Sequence, residues 1–168
     1  MDQLWAPWRL SYVTAPKPPK TEDACFVCRA VESSEDRKNL LVHRGEHSIV
    51  LLNRFPYNNG HLLICPRRHE GTLEQLTQDE LIDNVNTLRA LMRALTALMS
   101  PEGFNVGLNL GAAAGAGLPG HLHWHVVPRW NGDTNFMPVL TETKVIVQSL
   151  DVLYERLTEQ LRNGDEES

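Results

Sequence analysis

The 168-residue sequence has only three cysteines and no excess of positive charge. An odd number of thiols cannot all pair, which argues against a secreted scaffold held together by disulfides. Sixteen lysines and arginines against twenty-one aspartates and glutamates give a formal net charge of −5. A surface that binds nucleic acid or an anionic membrane would therefore have to be a local patch, and neither partner is expected.

The sequence also lacks the features of a secreted or membrane-spanning chain. Its first residues, Met1 to Trp5, contain no basic region followed by an apolar segment, so we expect a cytoplasmic protein. The longest stretch without a charged residue runs from Gly103 to Pro128 and is long enough to raise the question of a membrane span. It holds six glycines and three histidines, which a lipid-facing helix does not tolerate cheaply, so no span is expected.

Five short apolar runs bounded by polar turns predict β-strands. They lie at residues 40–43, 48–53, 61–65, 104–110 and 121–127. The connection between the second and third runs contains Pro56 and the dipeptide Asn59-Gly60, which favours an antiparallel pair.

Two other segments have the apolar spacing of helices. In the first, apolar residues recur in steps of three and four at Leu81, Val85, Leu88, Met92, Leu95 and Met99. This long helix is expected to follow Thr77, which forms a capping-box pattern with Glu80, and to stop before Pro101. The second helix is expected at about 144–163.

The length and a hydrophobic content of 42% fit one globular domain. We predict a single domain over residues 1–168 with an N-terminal arm over residues 1–37. The fold class is α+β, with an antiparallel sheet, a long helix and a C-terminal helix.

Three histidines at every second position, His121, His123 and His125, share one face of the last predicted strand. Such identical titratable groups crowd one another and each needs a partner, so the row marks a functional site rather than a core. Neutral imidazole has a nitrogen lone pair near pH 7, which suits both metal ligation and nucleophilic catalysis. The residues alone leave both functions open.

The segment before the histidines, residues 109–120, is rich in glycine and alanine. Small residues let successive backbone N–H groups point into one concavity, which suits phosphate oxygens. The segment lacks the Gly-Lys-Ser/Thr sequence of a P-loop. Taken alone it is equally consistent with a flexible connection, but beside the histidine row it predicts a phosphate-binding loop.

Two cysteines, Cys25 and Cys28, have the ligand spacing of half a zinc site. The spacing alone is ambiguous, because a redox pair, a knuckle or two reduced core thiols are together equally consistent with it.

The pattern His-hydrophobic-His-hydrophobic-His-hydrophobic-hydrophobic over residues 121–127 resembles the signature of the histidine-triad family, which consists of nucleotide hydrolases and transferases with an α+β fold. The likeness covers roughly residues 38–130. Segments outside the signature resemble the diadenosine tetraphosphate phosphorylase branch of the family. They lie at residues 5–9, 103–111, 125–136 and 143–146.

The resemblance implies a catalytic mechanism. His123 would attack the α-phosphorus of a nucleotide and form a covalent intermediate, and His125 would contact the α-phosphate and stabilise charge on its non-bridging oxygens. Asn53 would meet the ribose and Asn109 a phosphate oxygen. Many relatives have Gln and Ser or Thr where this chain has Gly117 and Leu118, so backbone contacts at Gly115 and Gly117 would have to serve instead.

The resemblance also implies a metal site. Residues 66–76 are similar to a region of galactose-1-phosphate uridylyltransferases, and the zinc ligands carried over from that family are Cys25, Cys28, His69 and His121. A closed Cys₂His₂ set would be structural. In zinc-free relatives the first histidine of the signature orients the nucleophile, which is the alternative role of His121.

The function that the resemblance implies is cleavage of diadenosine polyphosphates by phosphorolysis or hydrolysis. Alternatives are a hydrolase of adenylylated amines, a nucleotidylyltransferase with another acceptor, and a nucleotide-binding module without turnover. The implied partners are a nucleotide substrate, with which magnesium could bind, and a second copy of the chain, docked through the long helix and an edge strand.

Overall fold

A five-stranded antiparallel sheet forms the centre of the fold. The computed structural model describes residues 25–133 and 146–165. Its strands are β1 (Leu41–Arg44), β2 (Ser48–Leu52), β3 (Leu62–Pro66), β4 (Gly103–Leu108) and β5 (Trp124–Arg129). They lie in the order β1-β2-β3-β5-β4, and every neighbouring pair is antiparallel. The predicted α+β class is confirmed, and all five predicted strands are present with shifted ends.

Four α-helices accompany the sheet within the described residues. They are α1 (Phe26–Glu32), α2 (Asp36–Asn39), α3 (Gln78–Met99) and α4 (Leu150–Asp165). The capping box at the start of α3 is confirmed: the hydroxyl of Thr77 accepts the N–H of Glu80, and the carboxylate of Glu80 accepts the N–H of Thr77.

The buried face of α3 differs from the predicted apolar stripe. Its buried residues are Glu80, Asn84, Thr87, Leu91, Ala94 and Leu95. Val85, which belongs to the apolar stripe, is 48% exposed. Two of these polar residues have partners: Thr87 Oγ1 lies 3.1 Å from Ser48 Oγ, and Asn84 Nδ2 donates to the Glu80 carbonyl at 2.6 Å. Oδ1 of Asn84 is buried without a hydrogen-bond partner among the described residues.

The sheet separates two hydrophobic cores. On one face, α3 and α4 pack over alternate residues of the central strands, among them Val50, Ile64 and Val126. On the other face, α1 packs over the intervening residues, among them Ile49 and Leu63. Because side chains alternate along each strand, this second face also carries His61 and His125.

The C-terminal helix begins later than predicted. α4 starts at Leu150, and residues 146–149 are not helical. The first part of the predicted N-terminal arm, up to residue 24, and the phosphorylase-like residues in 134–145 lie outside the described residues. None of the helices in the described ranges is long and apolar enough to cross a membrane.

Candidate active site and metal centre

Four side chains from three separate segments converge beside the start of β5. Cys25 is the N-cap of α1, Cys28 lies in its first turn, His69 lies between β3 and α3, and His121 precedes β5. The Sγ of Cys25 is 3.3 Å from Nδ1 of His121, and the Sγ of Cys28 is 3.1 Å from Nδ1 of His69. All four ligand atoms lie within 4.8 Å of one another, so this cluster could hold a metal ion.

The ring of His121 is oriented toward the two thiols by a backbone hydrogen bond. Its Nε2–H donates to the carbonyl of Pro66 at 2.8 Å, and the ring is fully buried. The proton therefore lies on Nε2 and the Nδ1 lone pair faces the sulfurs, which is the arrangement that metal-ligating histidines adopt. Burial lowers the pKa of His121 to about 4, so the ring is neutral near pH 7.

His69 is held in place through its two neighbours in the chain. Arg68 donates to both carboxylate oxygens of Glu80 on α3, at 3.0 and 2.9 Å, and this guanidinium lowers the pKa of Glu80 to about 2. On the other side, the carbonyl of Glu70 accepts the N–H of Leu122 at 2.6 Å. These contacts tie the segment around His69 to α3 and to the segment that carries His121.

His123 lies on a segment that the sequence assigned to a strand. β5 begins at Trp124 rather than at residue 121, because the backbone between His121 and His123 bonds outside the ladder. The Nδ1–H of His123 donates to the carbonyl of His121 at 2.9 Å. This bond fixes the tautomer, so Nε2 of neutral His123 carries a lone pair. The residue is 7% exposed.

His125 lies at the end of a directed chain of hydrogen bonds. The backbone N–H of Tyr57 donates to Nδ1 of His61 at 2.9 Å, so the proton of neutral His61 lies on Nε2. That Nε2–H donates to Nδ1 of His125 at 2.9 Å, which leaves the proton of His125 on its Nε2. Burial, with a smaller contribution from His123, lowers the pKa of His125 to about 4. His125 is therefore a neutral hydrogen-bond donor near pH 7.

Two asparagines named from the sequence flank this chain. Asn53 Nδ2 lies 3.2 Å from Nδ1 of His61, which accepts the N–H of Tyr57, and Asn53 Oδ1 accepts the N–H of Phe55. Nδ2 of Asn109 lies 3.3 Å from Nε2 of His125. Both nitrogens carry hydrogen in this tautomer, so the two side chains are in contact but do not form a hydrogen bond. The structure thus brings Asn53, His125 and Asn109 together, and the rings of His123 and His125 are 5.1 Å apart between centroids.

The loop between β4 and β5 contains a short 3-10 turn at Ala112–Ala114, flanked by two glycines with positive φ angles. Gly111 and Gly115 have φ values of +76° and +86°, a backbone conformation that favours glycine. At Gly117, an added Cβ would meet no atom within 4 Å, so steric crowding does not require glycine there.

Two residues outside the predicted catalytic, binding and metal-ligating set contribute to the site. His61 bonds to His125, and the Tyr57 ring stacks on His125 at a centroid distance of 5.4 Å. The signal for His61 was available, because an antiparallel pairing of β2 with β3 places it beside Asn53. Tyr57 lies in a connecting loop whose conformation has no periodic signal.

The sequence model of the HIT domain family matches residues 34–132. This range holds the histidine row, both asparagines and the small-residue loop. The chain belongs to the HIT domain family. The match begins after α1 and ends before α4, so the cysteines and the C-terminal helix lie outside the HIT domain as matched.

Among relatives of this HIT protein is an AP-4-A phosphorylase of Mycobacterium tuberculosis. The two are 40% identical over 155 residues, which cover 89% of this chain and 79% of the relative. The fold is similar to a zinc-bound histidine triad family protein of Mycobacterium smegmatis, at 23% identity and a TM-score of 0.68, covering 87% of this chain and 99% of that one. It is also similar to a uridylyltransferase, at 19% identity and a TM-score of 0.64, covering 84% of this chain and 46% of that one. The structural likenesses show the fold.

Proposed function

We propose that this HIT protein cleaves diadenosine polyphosphates through a covalent nucleotidyl intermediate on His123. The observation that carries the proposal is the bond from Nδ1–H of His123 to the carbonyl of His121, because it directs the Nε2 lone pair away from the backbone. The similarity to an AP-4-A phosphorylase supports the substrate class. Together they favour diadenosine tetraphosphate as the substrate.

The proposed reaction is two displacements at phosphorus. Nε2 of His123 attacks the α-phosphorus, the bond from that phosphorus to the bridging oxygen breaks, and ATP leaves. An acceptor then attacks the same phosphorus and releases Nε2: orthophosphate yields ADP, and water yields AMP. Splitting the reaction in this way lets one histidine serve both steps.

The neighbouring groups have separate roles in the proposal. His125 donates its Nε2–H to a non-bridging oxygen, and as a neutral donor it stabilises the charge that develops there. His61 positions His125 by fixing its tautomer. Asn53 binds the ribose, Asn109 binds a phosphate oxygen, and backbone groups at Gly115 and Gly117 line the phosphate path.

The four-residue cluster fits zinc. In a tetrahedral site, Zn–S bonds of about 2.3 Å and Zn–N bonds of about 2.05 Å separate sulfur from nitrogen by about 3.6 Å. The sulfur–nitrogen distances here are 3.1, 3.3 and 3.5 Å. Zinc would be held by Cys25, Cys28, His69 and His121, and it would supply a structural cross-link. Thiolate ligands stay reduced in the cytoplasm, and we propose that the protein is located there.

His121 joins the two sites. Its Nδ1 faces the cysteines, while its backbone carbonyl accepts a hydrogen bond from the Nδ1–H of His123. Fixing the ring of His121 therefore fixes the acceptor that orients the nucleophile. Ligation and orientation, the two roles that the sequence left as alternatives, are compatible in one residue because they use different atoms.

Product analysis tests the proposed reaction. We expect the purified protein to convert diadenosine tetraphosphate with orthophosphate to equal amounts of ADP and ATP, and parallel reactions without phosphate or magnesium define the need for each. Equal AMP and ATP without phosphate would identify a hydrolase. No turnover of the dinucleotide, with release of AMP from an adenylylated amine, would overturn the proposed substrate.

We propose in addition that the protein is a homodimer that pairs through β4. This strand is the last of the sheet in the described part of the chain, and its Val106 is 38% exposed. An edge strand with an exposed apolar side chain is a template for pairing. Sedimentation velocity should give twice the chain mass, and Val106→Arg should shift the protein to monomer. Val152→Arg, which changes a 46% exposed valine on α4, is the matched control and should leave the dimer intact.

A further inference from the structure

Arg44, the last residue of β1, fastens the end of α1 to the sheet. Its Nη2 donates to the carbonyls of Ala30 and Ser33 at 2.9 and 2.6 Å, and its Nη1 donates to the carbonyl of Val31 at 3.0 Å. The last carbonyls of a helix have no hydrogen-bond donors within the helix, so the side chain of Arg44 supplies these donors. A positive charge at this end also meets the negative end of the helix dipole.

A carboxylate holds the guanidinium in turn. Asp36, at the start of α2, accepts from Nη2 of Arg44 at 2.6 Å and from Nε at 3.2 and 3.3 Å. The two side chains are 29% and 39% exposed, so the pair is partly shielded from water. The bonds to Asp36 therefore hold the guanidinium of Arg44 in the position from which it contacts α1.

A β-bulge in β1 turns Arg44 toward α1. Leu41 pairs with Leu51, whereas Arg44 pairs with Ile49, which shifts the register by one residue. In a regular ladder Arg44 would pair with Ser48 and point to the opposite face of the sheet. Ile49 lies on the face that α1 covers, so the extra residue aims Arg44 at the end of this helix.

We propose that Arg44 is a positioning residue for the metal centre. α1 has seven residues and is about 10 Å long, so holding its last turn restricts the position of its first turn, where the two thiols lie. Val27 and Ala30 of the helix are buried against the sheet, and Cys28 and Val31 are partly buried there. Arg44 supplies the polar contacts that keep the thiols over His69 and His121. This inference rests on the proposed zinc site.

The rate of zinc release tests the inference. Zinc-loaded protein is mixed with excess 4-(2-pyridylazo)resorcinol, and the coloured complex is followed with time. We expect Arg44→Ala to release zinc about tenfold faster than the unchanged protein. This is the lower end of the affinity losses seen when a group bonded directly to a metal ligand is removed, because Arg44 acts on the ligands through α1. The matched control is Arg37→Ala, because Arg37 pairs with Glu155 on α4 rather than with α1. It should release zinc at the unchanged rate.

Cobalt substitution separates positioning from general stability. A tetrahedral thiolate site gives cobalt(II) an intense visible spectrum that depends on ligand geometry. Arg44→Ala should weaken or shift these bands at a temperature where circular dichroism shows the protein folded. Arg44→Lys, which keeps the charge but not the forked donors, should give an intermediate rate and spectrum. If the alanine variant fails to fold, Arg44→Lys provides the test in its place.

The outcomes distinguish the two proposals. Faster zinc release together with a changed cobalt spectrum supports the positioning role. Unchanged release and an unchanged spectrum in both Arg44 variants, with zinc present in the parent protein, would overturn the inference and leave the zinc site standing. A parent protein that binds no zinc would overturn the zinc site itself and the inference with it.

Discussion

His123→Ala should abolish cleavage of diadenosine tetraphosphate, with a loss of at least about 10⁴-fold in kcat. Removing a nucleophile removes the covalent route and leaves only the contribution of the binding groups. His123 is 7% exposed, and within the described residues its side chain has one hydrogen bond, to the backbone carbonyl of His121. Nucleotide affinity should change little, because the asparagines, the loop and His125 remain. Initial rates and equilibrium nucleotide binding, measured on the same preparation, check both expectations.

His47→Ala is the matched control for this loss. His47 lies between β1 and β2, outside the histidine row, and its side chain is 38% exposed. The control should keep the parent rate. If His123→Ala retained more than a few per cent of the parent rate, another residue would be the nucleophile.

Cys28→Ala should remove the metal and destabilise the fold. We expect the zinc content to fall from about one ion per chain to near zero, because a structural site needs all four ligands. Binding of structural zinc contributes to folding free energy directly, so the midpoint of thermal unfolding should fall by many degrees. Metal analysis by mass spectrometry and calorimetry of the same sample measure both effects.

Cys65, the cysteine outside the proposed metal site, provides the control for the loss of a thiol. Cys65 is fully buried in β3 and lies outside the four-residue cluster, and burial raises the pKa of its thiol. Cys65→Ala removes one buried sulfur and should keep the full zinc content, with only a modest loss of stability. If Cys28→Ala retained zinc as well as Cys65→Ala does, the zinc assignment would be wrong.

The sequence predicted the parts of the site that follow from local spacing. The histidine row, the capping box at Thr77 and the five strand segments all follow from periodicity or from short motifs. The fold class was predictable for the same reason, since alternation and helical spacing each persist over whole elements.

Contacts between distant segments were harder to predict. The bulge that turns Arg44 toward α1 changes the face of one side chain without changing any local pattern. The chain from Tyr57 through His61 to His125 depends on the conformation of a loop and on the pairing of β3 with β5. The metal cluster joins segments that are up to 96 residues apart, and the sequence named it only through resemblance.

α3 illustrates a different limit. Its apolar spacing predicted the helix, but the polar side chains of Asn84 and Thr87 are buried while Val85 is half exposed. Burial follows the position of the helix on the sheet, and Thr87 is buried where Ser48 lies within hydrogen-bond distance of its hydroxyl. Sequence polarity alone could not predict that arrangement.

The most direct test of the proposed mechanism is the mass of the protein during turnover. Protein mixed with diadenosine tetraphosphate, quenched within milliseconds in base and digested should yield one peptide that carries an adenylyl group on His123, since phosphoramidates of histidine survive base. The adduct should disappear on the addition of acceptor at the rate at which product forms. Turnover with an unmodified His123, or an adduct on a different residue, would contradict the account.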